Sequence, residues 1–113
     1  MIPRDAKEHY EEWILRISPE IRCAVRPDML EAIFRYAFYG VPVGDFLQAV
    51  IKNNLREACG RADYKNLHAL PEIVKVFYNY CPAGCWGSWG SKDAYEEYLE
   101  LRRVQGPYRG LVF

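Results

Sequence analysis

The sequence predicts an all-α fold, a single domain spanning residues 1–113 with about five helices. Three observations lead there. Apolar residues recur at the helical period in four segments. Those segments are bounded by prolines, glycines or capping side chains. No second convincing strand is present to pair with the one segment rich in strand formers. A chain of 113 residues can close one core without metal or disulfide support. Half of its residues are hydrophobic and 27% are charged, a balance that favours folding over disorder.

Residues 5–17 form the first expected helix, with Ala6, Tyr10, Trp13, Ile14 and Ile17 on one face and Glu8, Glu11, Glu12 and Arg16 on the other. Ser18-Pro19 ends it, because the residue before proline is driven out of the α region. Glu20 to Arg26 reads as an irregular connector or one helical turn. Pro27 and Asp28 suit the first positions of a second helix, whose stripe is Leu30, Ile33, Phe34, Ala37 and Phe38. The run Gly40-Val41-Pro42-Val43-Gly44 breaks the chain. Asp45 is placed to cap the clearest helix, with Leu47, Val50, Ile51, Leu55 and Ala58 along one face. Asn54 interrupts that face, so a buried amide there needs a partner on a neighbouring helix or a polar cavity.

Gly60 weakens or ends this helix. Asp63 is positioned to cap a turn that runs to Leu70, and Pro71 then opens the next helix. Pro71 to Cys81 combines a helical face (Ile73, Val74, Phe77, Tyr80, Cys81) with the strand formers of IVKVFY; helix is the expectation. Ser91 caps the last helix, through Asp93, Ala94, Tyr95, Tyr98 and Leu99 to Arg103, and Gly106-Pro107 stops it. Its early acidic residues and the late Arg102-Arg103 suit the helix dipole. The apolar end of the tail, PYRGLVF, is expected to dock on the core.

Fifteen basic residues balance fifteen acidic ones, whereas a protein held to nucleic acid by phosphate contacts needs a basic excess. The N-terminus lacks the apolar core of a signal peptide, and no run reaches the eighteen or so apolar residues of a membrane span. A cytoplasmic protein with four free thiols is therefore expected. Cys81 and Cys85 form a C-x3-C pair, and further zinc ligands (Cys23, Cys59, His9, His68) would have to come from separate helices. Buried thiols account for the pair better, and neither metal nor cofactor is expected. His9 lies among surface charges in the sequence and His68 beside a turn. Neither has a readable catalytic partner, so the expectation is no enzyme.

Tyr78 to Asp93, YNYCPAGCWGSWGSKD, concentrates the unusual residues. Its glycine- and serine-rich part leads into a helix N-terminus, where free backbone N–H groups suit an anion and an indole can stack on a ring. GCWGSWGSK does not satisfy the P-loop pattern. Two readings stand: a tight turn whose Trp residues plug the core, or a ligand or partner site. The candidates for a site are Trp86, Ser88, Trp89, Ser91 and Lys92, together with Arg61, Asp63, Asn66, Asn54 and Asn79.

The run GDFLQAVIKNNLREACGRADYKNLHALPEIVKVFYNYCPAGCWGS resembles a group of short proteins encoded by bacteriophages and prophages. Shared positions include Pro42, Gly44, Phe46, Leu47, Ala49, Val50, Asn54, Leu55, Arg61, Ala62, Asp63, Asn66, Tyr78, Asn79, Pro82, Cys85, Trp86, Gly87 and Ser88, over roughly residues 40–90. The resemblance implies a phage source, and hence the host cytoplasm, without assigning catalytic roles. The function expected is that of an accessory protein that neutralises a host component, most naturally one of defence. It would do so by blocking a host protein or by sequestering a nucleotide-like signal. A nucleic-acid-associated regulator is the alternative, and a small hydrolase a more distant one. The aromatic content also favours a homodimer.

Because the ligand spacing is poor for zinc, chelator and reductant should leave thermal unfolding unchanged. A fall of about ten degrees in melting temperature with either reagent, worth about 1–2 kcal/mol at this size, would contradict that expectation.

Overall fold

The computed structural model describes residues 4–82, 85 and 93–108. Eight helices and no strand occur among them: α1 (Arg4–Arg16), α2 (Pro19–Ala24), α3 (Pro27–Tyr39), α4 (Asp45–Ile51), α5 (Leu55–Arg61), α6 (Tyr64–His68), α7 (Leu70–Tyr80) and α8 (Ala94–Gln105). The fold is all-α. The five expected helices correspond to α1, α3, the α4–α5 pair, α7 and α8. The short α2 lies in the segment read as an irregular connector or one helical turn, and α6 is the turn that Asp63 caps. IVKVFY is helical, inside α7.

Helix α3 is the hub. Leu30, Ile33, Phe34, Tyr36, Ala37 and Phe38 are all buried, a wider arc than a one-sided surface helix would bury. Towards α1, Phe34 and Phe38 stack at 4.8 Å and meet Trp13 at 5.3 and 6.1 Å between ring centroids. Trp13 also donates from its indole nitrogen to the Tyr80 carbonyl at 2.6 Å, which ties α1 to the end of α7. Towards α7 and α8, the Tyr36 ring packs on Phe77, Tyr95 and Tyr98. Its hydroxyl donates to the Cys85 carbonyl at 2.8 Å. A buried hydroxyl must find such an acceptor or lose the full cost of its desolvation.

The end of α3 is fixed as tightly. Gly40 adopts φ +68°, the left-handed conformation that glycine enters without Cβ strain. A Cβ added there would stand 2.6 Å from the Arg102 Cβ, so α8 crosses on a position that only glycine fills. The Tyr98 hydroxyl donates to the Ala37 carbonyl, and Tyr108 N–H donates to the Phe38 carbonyl at 2.7 Å.

One expected helix is two. The segment from Asp45 stops at Ile51, and Asn53 takes φ +57°, a conformation that asparagine tolerates better than most residues. Asn54 N–H then reaches the Ala49 carbonyl at 2.8 Å and Asn53 N–H the Val50 carbonyl at 3.0 Å, the paired bonds of a left-handed helix stop. The expectation that Asn54 sits within an apolar face is thereby corrected. It is exposed, and its side-chain oxygen accepts from Glu57 N–H at 3.2 Å to start α5. Leu55, expected on the buried face, is exposed, whereas Ala58 is buried. Asp45 is the first residue of α4, with Gly44 in the capping position.

Burial pushes the phenols of Tyr36 and Tyr98 well above their ordinary pKa of 10.0; neighbouring thiols add to the shift, and Arg102 opposes it at Tyr98. Below pH 10 both the folded and the unfolded chain keep these protons, and the contribution to stability is complete. Above it the unfolded chain ionises first, so stability falls as pH rises. In an alkaline titration followed by phenolate absorbance, Tyr36 and Tyr98 should ionise only together with loss of helical circular dichroism. Full phenolate absorbance in the still-folded protein would refute this.

Candidate functional site

The polar residues singled out between Asn54 and Asn66 lie on α5, α6 and their joint. Arg61, in the last turn of α5, donates from Nη1 to Asp45 at 3.2 Å and from Nε to Glu57 at 3.2 Å. Two carboxylates thus occupy the guanidinium, which by its planar fork also suits a phosphate. An incoming phosphate would have to displace them, although exposed pairs of this kind are individually worth only about 0–1 kcal/mol.

Asp63 has two structural tasks. One oxygen accepts from Asn66 N–H at 2.8 Å and starts α6. The other accepts from Arg26 Nη1 at 2.6 Å, and Arg26 also grips Asp28 at 2.8 Å. Asp63 therefore fastens α6 to the start of α3. Asn66 is 5% exposed, and its side-chain oxygen has no hydrogen-bond partner. Asn79 is exposed near the end of α7. The structure brings Arg61 together with Asp45, and Asp63 with Arg26, but forms no shared cluster from Asn54, Arg61 and Asp63. Trp86, Ser88, Trp89, Ser91 and Lys92, and with them the Gly/Trp-rich turn, lie outside the described residues, as does the tail from residue 109.

His9 packs against aromatic rings of α3. Its ring meets Phe34 and Phe38 edge-on at 5.1 and 4.8 Å, and Nδ1 lies 3.2 Å from the Tyr39 hydroxyl. His68 packs on Tyr64 at 4.6 Å. Cys81 and Cys85 are buried, while Cys23 and Cys59 are exposed. Burial raises the Cys81 thiol well above its ordinary pKa, and a hydrogen bond with the Cys85 side chain adds to the effect. A thiol shifted in this direction is a weaker nucleophile at neutral pH. Among the described residues no helix is long and apolar enough to cross a membrane.

Sequence reasoning missed one surface. Tyr64 and Leu67 on α6 and Val74 and Tyr78 on α7 are 73%, 42%, 39% and 68% exposed. These two helices pack consecutively, and Ala69 N–H to the Lys65 carbonyl and Ile73 N–H to the Ala69 carbonyl carry the hydrogen bonding through the joint. Within α7, Pro71, Val74 and Tyr78 follow a spacing of three and four, which places them along one face, and Leu67 is exposed on the preceding α6. The signal was present in IVKVFY. Its apolar residues exceed what one helical face can bury, and the excess, Val74, had been placed on the buried side.

No family model, curated protein or solved structure matches the chain.

Asn54→Ala should remove the start signal of α5 and cost about 0.5–2 kcal/mol in a urea melt. Any binding activity should persist under conditions where the variant is folded. A selective loss of binding without loss of stability would instead return Asn54 to the list of contact residues.

Proposed function

We propose that the protein is a non-enzymatic phage accessory protein that neutralises a host component, through a protein–protein contact made by the α6–α7 ridge. The observation that carries this reading is the line of exposed Tyr64, Leu67, Val74 and Tyr78 on two successive helices. Tyrosine brings a large, partly apolar surface with few rotatable bonds and is enriched among residues that dominate binding energy. Leu67 and Val74 add an apolar centre, and Lys65, Glu72, Lys75 and Asn79 supply polar surroundings on the same helices, the arrangement common at protein contacts.

The resemblance of residues 40–90 to phage and prophage proteins supports a host target, with a defence component as the natural one. Blocking a protein surface is favoured here over sequestering a nucleotide-like signal, because the exposed residues on α6 and α7 are largely apolar and aromatic.

The test is phage growth on a host strain carrying the relevant defence system. Expression of the wild-type chain should restore plaque formation. Tyr64→Ala and Tyr78→Ala together should abolish restoration while the melting temperature stays within a few degrees of wild type, because both side chains are already largely in water. Full restoration by the double variant would place the contact elsewhere.

A further inference from the structure

Arg102 lies in the last turn of α8, where a basic residue ordinarily answers the helix dipole from the surface. Instead it is 9% exposed. Its stem passes Gly40, with the space for a Cβ at that glycine already taken. Its guanidinium lies 5.5 Å from the centre of the Tyr98 ring and 5.8 Å from that of Tyr108. Rings of this kind favour a cation over their faces. They offer nothing to the N–H groups at its planar edge.

The edge is under-used. A guanidinium has five N–H donors, and among the described residues Nη2 donates to the Gln105 side-chain oxygen at 3.1 Å. Nε is buried without a partner. Arg22 and Arg35 also have a buried, unpartnered Nε, but both are less buried, and Arg35 is paired with Glu31. No ion pair joins Arg102 to a carboxylate among the described residues.

Three carbonyls at the neighbouring end of α3 already have donors. Tyr36 accepts from Gly40 N–H, Ala37 from the Tyr98 hydroxyl and Phe38 from Tyr108 N–H. A buried cation with no acceptor for Nε and, among the described residues, no counter-charge is costly, and such orphans call for a specific explanation.

We infer that Arg102 is the centre of a binding site for a small oxyanion, a phosphate or carboxylate group carried by a ligand. The planar N–H fork matches two oxygens of such a group, which a lysine in the same place would not. The Tyr98 and Tyr108 rings lie beside the guanidinium, and Gln105 accepts from Nη2. This site is independent of the α6–α7 ridge, because none of its residues lies on those helices.

The experiment titrates inorganic phosphate, acetate or chloride at constant ionic strength into the full chain. It follows the Nε–H resonance of Arg102 by NMR, assigned by its disappearance in Arg102→Lys. Phosphate or acetate should move the resonance saturably, and chloride should not. The stronger of the first two identifies whether a phosphoryl or a carboxylate group is preferred. Calorimetry on Arg102→Lys, which keeps the charge and most of the stem beside Gly40, should show affinity reduced tenfold or more. The inference is overturned if neither oxyanion moves the resonance more than chloride, as expected where a trapped water completes the guanidinium. It is equally overturned if Arg102→Lys binds with wild-type affinity. Should Arg102→Lys fail to fold, the wild-type titration still decides, with the resonance assigned by through-bond correlation.

Discussion

The enclosure of α3 is the constraint on which the other helices depend. Phe34 and Phe38 face α1, Tyr36 faces α7 and α8, and the final turn is clasped by α8 and the segment after it. Each contact combines apolar burial with a polar group that must find one particular acceptor. Tyr36 reaches the Cys85 carbonyl, Tyr98 the Ala37 carbonyl and Trp13 the Tyr80 carbonyl. Burial drives association of the helices without fixing their register. The three polar tips supply register, since a slip of one residue would leave a donor and an acceptor dry and unpaired.

Much of this was legible in the sequence. The stripe from Leu30 to Phe38, the stop at Gly40, the cap at Asp63 and the helical state of IVKVFY follow from period, conformational freedom and hydrogen-bonding capacity, which are local properties. What was not legible depends on neighbours. Lys52-Asn53-Asn54 is compatible with a continuous helix, and only the left-handed stop and the new cap show that it divides α4 from α5. Tyr36 departs from the expected stripe yet is buried, because α3 is covered on more than one side. Arg102 fits the rule for a surface cation at a helix end, and nothing in α8 alone tells that Gly40 will lie beneath its stem.

The same distinction governs the candidate site. Asp63 was identified correctly as a cap, but its bond to Arg26 connects residues far apart in sequence and could not be read from spacing. Arg61 is among the candidate site residues in the sequence, whereas in the fold two nearby carboxylates decide how its head group is used. The exposed ridge arises because α7 has more apolar positions than contacts to fill. Its Ile73, Val76 and Phe77 side is committed to the core, and Val74 and Tyr78 face outward. A rigid helix carrying an exposed aromatic line would lose little conformational freedom on docking.

If α3 is the hub, its amides can exchange with solvent only when the whole domain opens, whereas the short α5 and α6, held largely by caps and exposed ion pairs, can open alone. Native-state hydrogen exchange measured residue by residue across a denaturant series tests this directly. The account predicts that the amides from Ile33 to Phe38 exchange with the free energy and denaturant dependence of global unfolding, and that those of Ala58 to Arg61 and Leu67 to His68 exchange through smaller openings. Exchange in α3 as easy as in α5 and α6, with little dependence on denaturant, would contradict the central place given to that helix.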